Sequence, residues 1–224
     1  DPYRSAPYST NFTHVNNTTA ETIASTVLQD QATSTQNIVD WVFLELRTVS
    51  SPTVAPVTQT RSALIRKDGF IVDVDGVSPV YFKNVDAGSY VISVRHRNHL
   101  GISMDPTTTV SLNLASTTYD FSTASDASIF GTLGSAYTAS SGINLMWAGN
   151  ANHNTNVRYT GIGNDKDVIL SDFTISGTVA NYYRSDLNMN RGIRYSGINN
   201  DKDYLLSTVL GANSATQRSQ ALPN

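Results

Sequence analysis

The 224-residue chain contains no cysteine, few charged residues and no long apolar run. Without cysteine it has no disulfides, no thiolate metal sites and no thiol nucleophile. Charged residues make up 15% of the chain and the net charge is −3. The basic residues are scattered, so we expect no nucleic-acid partner. The apolar runs are far shorter than a bilayer requires, so we expect no membrane span.

Serine, threonine and asparagine supply most of the polar residues, and hydrophobic residues make up 39% of the chain, enough for a core. Threonine is β-branched and fits a pleated strand, whereas serine and asparagine compete with the hydrogen bonds of a helix backbone. The composition therefore favours strands and turns, and it predicts a mainly β protein.

A two-residue hydrophobic period runs from Ile38 to about Leu114. Residues 89–97 and 108–114 alternate apolar and polar side chains, which is typical of half-buried strands. Residues 38–47 form a further strand that is apolar on both faces until Glu45 and Arg47, which we expect to return one face to solvent. An Asp-Gly pair at 68–69 stands where a tight hairpin needs positive φ. Several short strands without a helical period predict a β-sandwich, which we place at residues 38–147.

The C-terminal third contains an internal repeat. Residues 150–170 match residues 186–206 without a gap, at a constant offset of 36 residues. The shared positions include Arg158 with Arg194, and Tyr159 with Tyr195. A repeat of this length indicates a duplicated supersecondary unit.

Each copy places asparagine and aspartate at alternate positions and again just before an apolar run. Calcium needs six to eight hard oxygen ligands, and a tight loop supplies them from alternating positions. Asp186, Asn188 and Asn190 have this one-three-five spacing, and the later cluster precedes the predicted start of a helix. The candidate calcium ligands are Asp186, Asn188, Asn190, Asn200, Asp201 and Asp203 in the second copy, and Asn150, Asn152, Asn154, Asn164, Asp165 and Asp167 in the first.

The same residues also have an interpretation without metal. Asn164 and Asn200 suit helix N-caps, and the alternating asparagines suit Asx-turns. The second copy keeps three carboxylates and the first keeps two. Because affinity falls with carboxylate count, we expect calcium first in the second copy, in the weak class of about 10⁻⁴–10⁻³ M.

Residues 146–210 resemble dockerin-type calcium repeats of the lengthened variety found near the C-termini of large exported proteins of Bacteroidetes-type bacteria. The upstream segments VDWVFLELR, TRSALIRKDGFIVDVDG and VRHRNHLG resemble the module that precedes such repeats. The resemblance implies export and a calcium-stabilised, cell-surface or extracellular protein. The chain departs from the family pattern where Asn150, Asn154 and Asn190 replace aspartate, and where Thr155 and Arg191 replace glycine.

The stretch VYFKNVDAGSYVISV resembles the strand–turn–strand of prealbumin-like and collagen-adhesin B-type modules. The expected fold is therefore mainly β, with an Ig-like or prealbumin-like sandwich followed by a small duplicated dockerin-like loop–helix domain. The expected segments are an extended N-terminal arm (1–37), the sandwich (38–147), the repeats (148–213) and a tail (214–224).

Catalytic patterns are missing from the sequence. It has no Gly-x-Ser-x-Gly elbow and no phosphate-binding glycine loop. His96 and His99 lie three apart on a predicted strand, so their side chains face opposite ways and do not suggest a metal pair. The basic run 95–99 is interpreted as a solvated strand edge. We therefore expect no enzyme activity.

The chain begins at Asp1 in a polar arm, which we interpret as a mature N-terminus after removal of a signal peptide. The main hypothesis is a secreted calcium-binding structural protein, a surface or filament subunit that forms homo-oligomers or polymers by docking its arm on a neighbour. The alternative is a carbohydrate-binding or cohesin-binding module, with polysaccharide or other cell-surface proteins as partners.

Overall fold

The computed structural model describes residues 1–29, 34–131, 136–139, 141–176 and 182–224. Parts of three predicted segments lie outside the described residues: 30–33 of the arm, 132–135 and 140 of the sandwich, and 177–181 between the repeats. The described chain is mainly β with antiparallel sheets, as the composition predicts. Within these ranges no helix is both long and apolar enough to cross a bilayer.

The chain divides into two compact units. The first consists of Asp1–His96, Ser103–Tyr119 and Pro223–Asn224, and the second of Arg97–Ile102 and Asp120–Leu222. The division differs from the expected segments, because the arm shares a unit with the sheet and residues 120–147 share a unit with the repeats.

Antiparallel pairing joins five strands of the first unit. Strand β1 pairs with β2 and β4, β2 pairs with β3, and β4 pairs with β6. Their bounds are β1 Ile38–Arg47, β2 Val57–Arg66, β3 Ile71–Val72, β4 Gly88–His96 and β6 Val110–Leu112. Gly69 has φ +87° in the β2–β3 turn, which confirms the predicted hairpin. The intervening strand β5 (His99–Ser103) falls in the second unit up to Ile102.

The N-terminal arm covers one face of the first unit's sheet. The rings of Tyr3 and Phe12 each lie 5.5 Å from the ring of Phe43 on β1, and the Tyr3 hydroxyl donates to Trp41 O at 3.0 Å. The guanidinium of Arg95 lies 4.6 Å from the Phe12 ring centroid. Such aromatic pairs contribute about 0.5–1.5 kcal/mol beyond their buried area. The arm is therefore held by the sheet of its own chain.

Short-range structure in the arm also differs from the expected extended segment. It contains 3₁₀ helices at Pro2–Arg4 and Ser25–Leu28. Asp1 is the N-cap of the first, and its carboxylate accepts from Tyr3 N. Proline is tolerated in a first turn because its missing N–H would be unpaired there.

The second unit holds the repeats. It contains α1 (Asp165–Ser176) and α2 (Asp201–Asp203), which continues as a π-helix over Tyr204–Val209. The second unit also contains two antiparallel strand pairs, β7 with β8 and β9 with β10. Their bounds are β7 Ala136–Thr138, β8 Asn144–Met146, β9 Asn156–Arg158 and β10 Gln217–Ser219. The predicted tail thus contributes a strand to the first repeat.

The two repeats share one hydrophobic core. Ala151 and Leu187 occupy equivalent positions, as do Ile169 and Leu205, and all four side chains are buried. The core is completed by Leu100, Val157, Val209 and Leu210. Because each copy supplies only part of this cluster, neither copy has the whole core alone. Each fully buried large aliphatic side chain contributes about 1.5–3 kcal/mol.

Gly149 lets the backbone approach this core closely. It has φ +111°, and a Cβ there would lie 2.7 Å from Val157 Cγ1 and 3.0 Å from Leu205 Cδ1. Gly142 also has positive φ, at +80°, but has nothing within 4 Å of the equivalent point. Alanine substitutions at the two glycines can therefore be compared to distinguish the cost of positive φ from the cost of steric overlap.

We expect Gly149→Ala to destabilise the second unit more than Gly142→Ala. Both substitutions carry the left-handed backbone cost of about 1–2 kcal/mol, and only Gly149→Ala adds an overpacking cost of about 1–3 kcal/mol. Urea unfolding followed by tryptophan fluorescence measures the difference. Equal losses would show that Val157 and Leu205 move aside at no cost.

Candidate metal centre in the twin loops

Each repeat forms a loop that closes around one buried carboxylate. In the second loop (residues 186–201), Asp201 accepts hydrogen bonds from Leu187 N at 2.8 Å, Asn188 N at 3.3 Å and Arg194 N at 2.8 Å. In the first loop (residues 150–165), Asp165 accepts from Asn152 N at 3.3 Å and Arg158 N at 3.0 Å. Both aspartates are fully buried. The repeated sequence therefore folds with a repeated hydrogen-bond plan.

Asparagines at positions three and five fold each loop tightly. Asn188 Oδ1 accepts from Asn190 N at 3.1 Å, and both side-chain amides donate to Asn199 O, at 2.9 and 3.3 Å. In the first loop Asn152 Oδ1 accepts from Asn154 N at 3.0 Å. Both first-loop amides donate to the carbonyl of Gly163. The predicted Asx-turns are confirmed in both copies.

The fourth residue of each loop has a left-handed backbone. His153 has φ +59° and its equivalent Met189 has φ +60°. Arg191, where the family pattern has glycine, has φ +71°. A non-glycine residue with a left-handed backbone costs about 1–2 kcal/mol of stability, so the other contacts of the loop must offset this cost.

Asparagine caps the helix that follows each loop. Asn200 Oδ1 accepts from Asp203 N at 2.7 Å, and Asn164 Oδ1 accepts from Asp167 N at 2.9 Å, as predicted. The side chains of Asp203 and Asp167 are 58% and 64% exposed and pair with the preceding lysines. These two carboxylates are therefore exposed, unlike Asp165 and Asp201 in the same helix turns.

Position one distinguishes the two loops. Asp186 is buried, and its carboxylate accepts from Asn190 N and Arg191 N, both at 3.0 Å. Asn150 takes its place in the first loop, where its Nδ2 donates to Asn154 O at 2.9 Å. The Oδ1 atom of Asn150 is buried and has no hydrogen-bond partner. A buried acceptor without a hydrogen bond is uncommon in folded proteins, so this atom is available to a further ligand.

The six predicted ligands of the second loop fall into two sets. Asp186 and Asp201 are buried inside the loop. The other four, Asn188, Asn190, Asn200 and Asp203, line one open surface depression beside the helix start. Within the described ranges, the loop carboxylates do not form a group of three with ligand atoms within 4.8 Å of one another.

Burial raises the pKa of both central carboxylates. The pKa of Asp165 rises to about 7 because desolvation outweighs its backbone hydrogen bonds and the charge of Arg158. The pKa of Asp201 rises to about 6, first through desolvation and further through the nearby charge of Asp186. The second loop therefore holds two buried carboxylates that repel each other.

A segment between β4 and β5 braces both loops. Asn98 O accepts from Gly149 N at 2.8 Å and Asn150 N at 3.0 Å, and Asn98 Nδ2 donates to Asp186 O at 2.7 Å. His153 Nε2 lies 2.7 Å from Arg97 O. Arg97 and Asn98 are buried, so the prediction of a solvated strand edge is wrong for them. Their contacts lie about 50 to 90 residues away, so no local pattern predicts them.

Comparisons with known proteins do not identify a relative of this chain. No family model, curated protein or solved structure matches the chain.

We expect the calcium-free second unit to lose stability as pH rises from about 4 to about 7. The folded pKa of Asp165, about 7, lies above its ordinary value of 3.8, so the folded state keeps a proton that the unfolded state has lost. Stability therefore falls across that window, by up to about 1.4 kcal/mol per pH unit for each such group. Urea unfolding at several pH values in EDTA measures the slope.

Asp165→Asn removes one of the two groups with a raised pKa and should reduce the slope, whatever it does to absolute stability; Asp201, with a pKa of about 6, accounts for the slope that remains. Asp167→Asn is the matched control, since that side chain is mostly exposed, and should leave the slope unchanged. Stability that increases between pH 5 and pH 7 in EDTA would contradict the assignment.

Proposed function

We propose that the chain is a non-catalytic, secreted structural protein whose C-terminal repeats bind calcium and stabilise a subunit of an extracellular assembly. The observation that carries this proposal is the pair of buried carboxylates in the second loop, Asp186 and Asp201. A divalent cation between such groups relieves their repulsion and offsets their desolvation. The resemblance of the repeats to exported dockerin-type repeats supports the same conclusion.

The second loop is the stronger proposed site. Asp186 and Asp201 supply charge, and Asn188 and Asn190 supply amide oxygens, all from a loop that is already folded. Calcium takes hard oxygens and tolerates irregular geometry, so this donor set fits it better than it fits a nitrogen-preferring metal. In this proposal the ion fixes the end of the second unit; it performs no chemistry.

The first loop is the weaker proposed site. It buries one carboxylate, Asp165, in place of two, and Asn150 brings an oxygen without charge. The orphan Oδ1 of Asn150 nevertheless fits a cation. Because affinity follows the number of charged ligands, the first loop should bind calcium more weakly than the second.

Calcium should raise the melting temperature of the EDTA-treated chain. At a free concentration 100-fold above Kd the ligand adds about 2.7 kcal/mol to the free energy of unfolding. Asp186→Asn gives the second loop the position-one residue of the first and should remove most of this shift. Asn150→Asp is the reciprocal change and should increase it. Calorimetric melts from zero to about 20 mM calcium, well above the expected Kd, measure all three proteins, with magnesium as the control ion.

An unchanged melt of the unsubstituted chain at millimolar calcium would remove the metal from the proposal. An equal shift in the Asp186→Asn variant would place the ion elsewhere. Either result would leave the loops as purely hydrogen-bonded structures.

The assembly part of the proposal concerns the N-terminal arm. Tyr3 and Phe12 dock on the sheet of their own chain, beside Phe43. The same contacts made between two copies would join them without any new interface, which is the principle of domain swapping. The antiparallel sheet and the loop–helix repeats support the sandwich and dockerin-like classes that belong to this proposal.

Loss of the arm's aromatic contact should weaken self-association. We expect Phe12→Ala to shift the chain toward monomers at high protein concentration, since the swapped contact buries this ring. Leu114→Ala is the control, because that side chain is fully exposed. Light scattering and negative-stain electron microscopy measure the assemblies. Unchanged filaments in the Phe12→Ala variant would exclude the arm as the connector.

A protein-binding module is the second candidate. Ile162 and Ile198 occupy equivalent positions in the two loops, and their side chains are 97% and 83% exposed. Matched apolar side chains presented twice suit recognition of a protein partner. Chains that stay monomeric at every concentration, with or without the arm contact, would favour this candidate over the assembly.

A further inference from the structure

The N-terminal arm contains a second cluster of ionisable side chains, far in sequence from the repeats. One ligand atom from each of Asp1, His14 and Glu21 lies within 4.8 Å of the others. Their side chains are only 1%, 7% and 7% exposed. Sequence analysis gives no sign of this cluster, since the three residues follow no period and meet only when the arm folds.

Three buried ligand atoms face one another in this cluster. Asp1 Oδ2, His14 Nε2 and Glu21 Oε2 make no aligned hydrogen bond, and both carboxylates are ion-paired with Arg4. Two carboxylates and an imidazole that converge on one point form the kind of donor set that holds a cation. Asp1 Oδ2 and His14 Nε2 lie 3.3 Å apart. Two ligands of a tetrahedral zinc ion with bonds of about 2.0–2.1 Å are separated by about 3.3–3.4 Å.

The remaining polar atom of each side chain is held by another residue. Thr60 Oγ1 lies 3.2 Å from His14 Nδ1, and Ser62 Oγ donates to Asp1 Oδ1 at 2.7 Å. Asn17 Nδ2 donates to Glu21 Oε1 at 2.6 Å. Outer hydrogen bonds of this kind orient the ligands of known metal sites. Strand β2 supplies the first two of these partners, so the docked arm completes the cluster.

We propose that Asp1, His14 and Glu21 form a binding site for a zinc-class divalent cation, with one coordination position left open. One imidazole nitrogen and two carboxylate oxygens suit Zn²⁺, whereas Ca²⁺ and Mg²⁺ prefer sites made of oxygen alone. This site is separate from the calcium loops and does not depend on them.

Arg4 is the cation that competes for this cluster. Its Nε lies 2.9 Å from Asp1 Oδ2, and its Nη2 lies 3.7 Å from Glu21 Oε2. The same Nη2 donates to Asn17 O and Thr19 O, so the guanidinium has other anchors. Zinc takes over the contact with Asp1 Oδ2, and Arg4 weakens its binding through like-charge repulsion.

Isothermal titration of the EDTA-treated full chain with zinc chloride tests the site. We expect one zinc per chain in the first unit, and a loss of at least about tenfold in affinity in His14→Gln and Glu21→Gln, since each removes one of three ligands. His99→Gln is the matched control, as it removes a histidine of the second unit. Cobalt is a spectroscopic substitute whose visible bands should appear in the control and be absent from His14→Gln.

Arg4→Gln is the decisive variant, because unfolding of the arm would weaken zinc binding and could not make it tighter. Removal of the competing charge should tighten zinc binding by about tenfold or more, and circular dichroism in EDTA checks that the arm stays folded. Asp186→Asn should bind zinc normally, which separates this site from the calcium loops. No zinc binding by the unsubstituted and Arg4→Gln chains, or equal binding by His14→Gln, would overturn the proposal.

Discussion

A carboxylate buried among backbone N–H groups is the interaction on which the C-terminal unit depends. Asp165 and Asp201 each tie the start of a loop to its end, by accepting from Asn152 N and Leu187 N, and each stands at the first residue of a helix. Burial of a charge is costly unless it is hydrogen-bonded, so the loop must supply several donors at once. Once it does, the helix begins at a fixed place, and Ile169 and Leu205 reach the common core.

Local pattern predicts the elements of this chain but not their long-range partners. The predicted strand at Ile38–Arg47 matches β1 in its bounds. The expectation that Glu45 and Arg47 face solvent is wrong, because both side chains are buried. The caps at Asn164 and Asn200 follow equally local rules. By contrast, the strand at Gln217–Ser219 and the docking of the arm on Phe43 depend on contacts between distant segments that share no period.

The candidate calcium residues illustrate the same limit. The sequence identifies which side chains gather in the loops, but it does not show which of their atoms are already used. Asn188 directs its amide nitrogen at a carbonyl and its oxygen at a backbone N–H. The loop thus has both the oxygens that a cation needs and a hydrogen-bond plan that holds without one. In the arm the balance differs, because Asp1 Oδ2 and His14 Nε2 make no aligned hydrogen bond and Arg4 supplies the charge that faces them.

The pairing of β9 with β10 has a consequence for how this architecture can grow. The strand that covers the first repeat comes from beyond the second, so the chain returns to the start of the array. An open solenoid accepts extra modules at its end, since each contacts only its neighbour. Here an inserted third module would separate Gln217–Ser219 from its partner strand. The duplication therefore makes a closed pair, in which copy number is fixed by topology.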